Sequence, residues 1–289
     1  MKLATFNTAD DPSPRVGIVE NDSVLDLSTA GVISDMKELI RGGVDVADLS
    51  TRSVNAAAIA LAEVDLQAPV MNPGKILAIG LNYGDHVEES GMNKPEHQMW
   101  FNKQHNCING PYADINLPAV SDKVDYEAEL CLVIGRRCKH VPRERAHEVI
   151  AGYFCGNDVS VRDWQMRSPT FQIGKSFDTH GPVGPWLVTP DEVEDPHTLD
   201  IKCIVNGEVK QQSNTKHLIF DCFDAIEHLT QAYVLDVGDI LFMGTPGGVG
   251  VAMQPPSFMK AGDVVRVEIE KLGHIENTVV PEQAETIIE

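Results

Sequence analysis

The sequence predicts a β-rich α+β fold, with a small α+β unit leading into a larger, strand-dominated one. Short β-branched and apolar runs recur along the chain, and the helical stretches between them are brief and scattered. Strands and helices do not alternate as a doubly wound sheet requires. The segment from Ala68 to Gly74, broken twice by proline, separates residues 1–70 from residues 71–289. A length of 289 residues suits two units of unequal size, on a prior of roughly 150 residues per domain.

Taken in order, Lys2 to Phe6, Arg15 to Glu20 and Val24 to Asp26 read as strands. Helical stretches follow at Ser34 to Arg41, ended by Gly42 and Gly43, and at Ser53 to Glu63, where alanine favours helix. Lys75 to Leu81 is an apolar strand, and Asp85 to Ser90 is a short polar helix closed by Gly91. Residues 125–135 have the composition of a buried strand. A helix from Arg143 to Ala151 and a strand from Gly152 to Cys155 lead to Asn157 and Asp158.

Ser160 and Asp163 have capping-box spacing and predict a helix start just after Asp158. Phe220 to Tyr233 is the longest amphipathic stretch. Gly238-Asp239 and Gly262-Asp263 are turns that introduce apolar strands. Val265, Val267 and Ile269 alternate with charged residues, as on a half-solvated strand.

The 43 acidic and 23 basic residues give a formal charge of -20, which repels nucleic acid and anionic membrane alike. Neither partner is expected. A small anionic substrate would need local positive charge from a metal, Lys or Arg. The six cysteines form no CxxC pair and read as free thiols in a reducing compartment. The N-terminal stretch MKLATFNTADD has no apolar run of signal-peptide length. No later segment approaches the roughly 18 apolar residues of a membrane span. A cytoplasmic location is expected.

Strand side chains alternate faces, so Glu127 and Glu129 in DYEAEL point the same way from an otherwise apolar strand. Unless one is protonated, they need a cation, and a hard ion such as Mg²⁺, Mn²⁺ or Ca²⁺ fits their oxygens. Asp158, at the end of the next strand, supplies a third carboxylate. A solvated strand face is the other reading of an isolated ExE.

Lys175 lies in IGKSFDTHGPVGP, where Gly and Pro fix the backbone around one ammonium, suited to an enolate or oxyanion. A phosphate-binding loop is rejected, because Pro169 stands where its first glycine is required. His86 and Glu89 are three apart on one helical face, the arrangement of a carboxylate-oriented general base. The glycine loop Gly244 to Gly250 can present backbone N–H groups and the Thr245 hydroxyl to a carboxylate. It has neither the helix nor the acidic residue of a dinucleotide site. Arg162 and Gln165, three apart after Asp158, can share a face toward the carboxylates or simply cover the surface.

In this serial order GLNYGDHVEES, DYEAEL, GNDVSVRDWQ, GKSFDTHGPVGP and GTPGGVG resemble the fumarylacetoacetate hydrolase family over residues 74 to about 275. VNGEVKQQSNT and PPSFMKAGD are most similar to its domain-containing protein 2 branch. The resemblance implies a mixed β-sandwich roll, assembled as a homodimer. It assigns Glu127, Glu129 and Asp158 to Mg²⁺ or Mn²⁺, with Ca²⁺ as a substitute. It gives Lys175 to the oxyanion, His86 and Glu89 to water activation on a lid, and Arg162, Gln165 and Thr245 to substrate contacts. One departure is Phe101-Asn102-Lys103-Gln104-His105, where many relatives carry a Lys-Pro pair.

The function implied is hydrolysis of a carbon-carbon bond in a 2,4-dioxo acid of acylpyruvate type, with the enolate stabilised by the metal. Oxaloacetate tautomerisation or decarboxylation, or isomerisation of a related 2-oxo acid, is the alternative on the same site. A dinucleotide-dependent oxidoreductase lacks its Rossmann unit, and a non-catalytic relative would be expected to have lost its carboxylates.

Overall fold

The computed structural model of the chain describes residues 1–91 and 93–288. A twelve-stranded sheet forms one layer and a five-stranded sheet the other. At the centre of the large sheet, Ala128–Ile134 runs antiparallel to Ile150–Asn157 on one side and to Ile240–Phe242 on the other. Every residue of Ala128–Ile134 is buried, which is why it reads as a continuous apolar run rather than an alternating one.

Its two faces serve different cores. Leu130, Leu132 and Ile134 pack with Ile201, Cys203, Val265 and Val267 of the five-stranded sheet. Cys131 and Val133 face the opposite way, with Leu3, Ile18, Leu39 and Ile40 of the N-terminal segment. Each such side chain contributes about 1.5–3 kcal/mol on burial. Val265, Val267 and Ile269 are buried on their strand and their charged neighbours are not, as the alternation predicts.

The N-terminal segment is not a free-standing sheet, because Lys2–Thr8 hydrogen-bonds Gly181–Val188 in the register Lys2↔Val188. A strand at Ala57–Ala60 replaces the helix expected over Ser53 to Glu63. Alanine propensity loses there to an available edge, since Ala57–Ala60 pairs with Ser23–Asp26 and sets Ile59 beside Val24. The helix lies upstream at Val46–Ser53, capped by Asp45. Arg143–Val149 is 3₁₀ rather than α.

Cys222–Ala232 is an amphipathic helix, opened by a capping box between Asp221 and Asp224. The capping box expected at Ser160 and Asp163 does not form. Ser160 Oγ donates to the Asp158 carbonyl at 2.9 Å and Asp163 accepts from Ser121 at 2.6 Å, so Arg162–Gln165 starts with no side-chain cap. Among the described residues, no helix is long and apolar enough to cross a membrane.

Candidate active site

The antiparallel register Ala128↔Asn157 brings the end of one central strand level with the start of its neighbour. Glu127 and Asp158 therefore meet just beyond the ladder, where the Asp158 N–H donates to the Glu127 carbonyl at 2.9 Å. Ligand oxygens of Glu127, Glu129 and Asp158 all lie within 4.8 Å of one another, and all three residues are buried.

Three cations face these carboxylates. Lys175 Nζ donates to Glu127 Oε2 at 2.7 Å and to Asp158 Oδ2 at 2.8 Å. Arg162 Nη1 donates to Glu127 Oε1 at 2.7 Å and to Gln165 Oε1 at 3.0 Å. Lys103 Nζ donates to Asp158 Oδ1 at 2.7 Å, and also to the carbonyls of Lys175 and His180. Lys103, Lys175 and Arg162 are as buried as their partners.

Glu129 is the carboxylate without a cation. Among the described residues its hydrogen-bond donor is the Gly244 N–H, which reaches Oε2 at 2.6 Å. Burial opposes the charge of Glu127, but Lys175 and Arg162 outweigh it and hold its pKa down at about 2. Burial, reinforced by the charges of Asp158 and Glu127, instead drives Glu129 well above the usual carboxylate range. An added cation satisfies Glu129 and leaves each carboxylate oxygen a lone pair for it. Glu127, Glu129 and Asp158 would hold such an ion through oxygen donors alone, the ligand type that Mg²⁺ and Mn²⁺ prefer. The donor set fits a hard divalent metal.

The glycine loop closes one side. Gly244 has φ 90°, and a Cβ there would meet the Asn82 Cβ at 2.7 Å, so only glycine brings this N–H onto Glu129. Thr245 lines the cavity next to it and is 3% exposed. From above, His86 sits on the helix Gly84–Ser90, which ends at Gly91 in the left-handed region. His86 Nδ1 lies 2.8 Å from Glu89 Oε1, and Glu89 Oε2 accepts the Gly248 N–H at 2.7 Å.

These parts enclose a cavity of about 230 Å³. Glu127, Glu129 and Lys175 line it together with Arg162, Gln165 and Thr245, and His86 reaches it as well. Phe101, Phe171, Met99 and Val251 supply apolar wall. A larger groove of about 650 Å³, between Gly42-Gly43 and Thr189 to Asp191, holds none of these groups. Chemistry rather than volume marks the site.

All nine residues singled out from sequence thus converge on one cavity or touch a residue that lines it. Three residues of the same network escaped notice. Asp125 continues the period-two series of Glu127 and Glu129, and takes Arg162 Nε at 2.8 Å. Lys103 stands two residues after Phe101 on the strand Met99–Lys103, so alternation placed it inward. The departure from the Lys-Pro pair falls on Gln104, whose backbone N–H donates to Ser176 Oγ at 3.0 Å. Gln211, in VNGEVKQQSNT, had no signal beyond that motif.

A two-layer β-rich fold with a buried carboxylate triad under a His-bearing helix defines a class of proteins with an acidic site suited to a hard cation. Within that class, the chain belongs to the fumarylacetoacetate hydrolase family: residues 75–280 match the model for the fumarylacetoacetate (FAA) hydrolase C-terminal domain.

A Xenopus laevis protein named oxaloacetate tautomerase fahd2, mitochondrial, is 41% identical over 97% of this chain and 90% of its own length. The human oxaloacetate tautomerase FAHD2A, mitochondrial, is 40% identical over 97% of this chain and 92% of its own. Among solved structures, maleylpyruvate hydrolase from Sphingobium sp. SYK-6, in complex with manganese(II) and pyruvate, superposes with a TM-score of 0.82. It is 33% identical, and the match covers 98% of this chain and 100% of that one. These relatives correct one expectation. Free thiols and an unremarkable N-terminus suggested the cytoplasm, but thiols stay reduced in more than one compartment, and the Xenopus, rat and human relatives are mitochondrial by name.

Proposed function

We propose that this chain is a divalent-metal-dependent enzyme that enolises a small 2-oxo acid, with oxaloacetate as the substrate to test first. The observation that carries this reading is the buried triad of Glu127, Glu129 and Asp158, whose two glutamates line a cavity together with Lys175 and His86. The names of the Xenopus and human relatives support it. Mg²⁺ or Mn²⁺ is the metal proposed for the triad, with Ca²⁺ as a substitute. When bound there, such an ion polarises the keto group and lowers the energy of the enolate.

The chain's own residues do the rest. Thr245, with Gln165 and Arg162, orients the substrate carboxylate. With its Nδ1–H donated to Glu89, His86 keeps the Nε2 lone pair free to take the proton from C3. Lys175 places an ammonium beside the oxygen on which negative charge grows. A solvent proton on that oxygen completes the enol, and His86 gives up its own proton to water.

Hydrolysis of a 2,4-dioxo acid is the second reading, favoured by the same His86–Glu89 pair, which can activate water in place of the C3 proton. The Sphingobium relative is named for a hydrolysis. Oxaloacetate and a set of acylpyruvates, each supplied with Mn²⁺ or Mg²⁺, separate the two. Proton NMR in heavy water follows C3 exchange and cleavage together. Accelerated oxaloacetate enolisation with intact acylpyruvates supports the first reading; cleavage to pyruvate and a carboxylic acid replaces it with the second. Inertness toward both, with metal bound, defeats the two alike.

A further inference from the structure

We infer that Gln211 is a positioning residue that sets the direction of the Thr245 hydroxyl proton, and with it the affinity of the site for the substrate carboxylate. The inference rests on the proposed 2-oxo acid reading. Gln211 is 1% exposed, on the strand Glu208–Asn214 of the five-stranded sheet, and its carboxamide reaches across to the other layer. Oε1 accepts the N–H of Ala128 at 2.9 Å, between Glu127 and Glu129 in sequence. Nε2 donates to the Pro246 carbonyl at 2.8 Å and to Thr245 Oγ1 at 2.8 Å.

Those partners fix the amide without ambiguity. A backbone N–H can meet only its oxygen, and a backbone carbonyl only its nitrogen. Nε2 therefore presents a proton to Thr245 Oγ1, which must accept. The hydroxyl's own hydrogen then cannot point back at Gln211 and is free for an acceptor in the cavity that Thr245 lines. An anion gains most from a donor aimed in advance. One side chain thus joins the strand that carries Glu129 to the loop that meets the substrate, and gives Thr245 the polarity an anion needs.

Gln211→Glu keeps the shape and the acceptor for Ala128 but puts an acceptor opposite Thr245, which turns the hydroxyl hydrogen away from the cavity. The test is calorimetric titration of pyruvate into Mn²⁺-loaded protein, in the parent, Gln211→Glu, Thr245→Val and the double variant, with Mn²⁺ affinity measured separately. Each single variant is expected to weaken pyruvate about tenfold, the scale of a lost hydrogen bond to a charged group. The double variant should be no weaker than Thr245→Val, and Mn²⁺ affinity should stay within about twofold.

If Gln211→Glu does not fold, Gln211→Met frees the hydroxyl to rotate instead of reversing it, and an about threefold loss is expected with the same non-additivity. Unchanged pyruvate affinity in the Gln211 variants, a loss that persists in the Thr245→Val background, or a parallel loss of Mn²⁺ affinity overturns the inference alone. A parent that binds Mn²⁺ but no pyruvate overturns the functional reading and this inference with it.

Discussion

The Glu89 carboxylate accepts the Gly248 N–H at 2.7 Å across 159 residues of sequence, while its other oxygen holds His86. One side chain therefore both orients the base and pins its helix to the glycine loop. Gly248 is irreplaceable in this: its φ is 102°, and a Cβ would lie 2.2 Å from the Lys210 carbonyl oxygen. Glu89→Ala is expected to lower turnover by about a hundredfold, the lower range of general-base effects. Amide exchange over residues 84–91 should quicken as well. Unaltered exchange with full activity would show that the helix is held by other contacts.

Glu129 yields a prediction of opposite sign in stability and metal binding. Its raised pKa means that the metal-free native state binds a proton more tightly than the unfolded chain, so stability declines as pH rises from the ordinary carboxylate value toward the folded one. Glu129→Gln removes that penalty. In EDTA at pH 7.5 the variant should resist urea more than the parent, by on the order of 1 to 3 kcal/mol, yet gain nothing from Mn²⁺. A variant less stable than the parent without metal would mean that Glu129 is ionised and satisfied there.

The parts of the site that were legible in sequence are those where local pattern and chemistry coincide. Period two put Glu127 and Glu129 on one face, and helical spacing put His86 beside Glu89. The partners of Lys103 and Gln211 were illegible for a physical reason. Each residue acts through partners far along the chain, Asp158 and His180 for the first, Ala128 and Thr245 for the second. Only the packing of two sheets brings them together. In the fold, the lost helix at Ser53 to Glu63 has a similar cause, since the edge of Ser23–Asp26 that claims Ala57–Ala60 has no local signature.

Lys175 bridges two members of the triad, so its removal separates catalysis from metal binding. Lys175→Met should cut turnover about a hundredfold to a thousandfold, the usual cost of losing one preorganised donor. Mn²⁺ affinity should hold or rise, because Glu127 and Asp158 lose a competing cation. Calorimetry beside steady-state kinetics tests both halves. Lost metal affinity at undiminished turnover would place Lys175 in the framework rather than at the reacting oxygen.

His180 gives the fold a built-in acid sensitivity. It is wholly buried, Nε2 lies 2.8 Å from the Asn116 carbonyl, and burial lowers its pKa to about 4. A histidine whose folded pKa is depressed leaves the unfolded state holding the extra proton. Its contribution is complete above about pH 6.5 and is lost as pH falls toward 4. The full loss is about 3 kcal/mol. Urea unfolding at pH 7.5 and pH 5.0 should show a larger acid penalty in the parent than in His180→Gln. Equal penalties would assign the acid sensitivity to other groups.

His86 decides between the two reactions. If the imidazole takes the C3 proton, His86→Ala should slow solvent exchange at C3 of oxaloacetate, beyond the rate the bound metal gives unaided, by about a hundredfold or more. If its task is to activate water, the same variant should keep C3 exchange and lose acylpyruvate cleavage by a similar factor. Mn²⁺ affinity should be unchanged in either case, since His86 makes no hydrogen bond to the triad. One heavy-water NMR sample of parent and variant reports exchange and cleavage together, so the step that fails identifies the proton His86 moves. A variant that matches the parent in both would reduce the His86–Glu89 pair to a hinge contact, leaving Lys175 and the metal to perform the chemistry without a protein base.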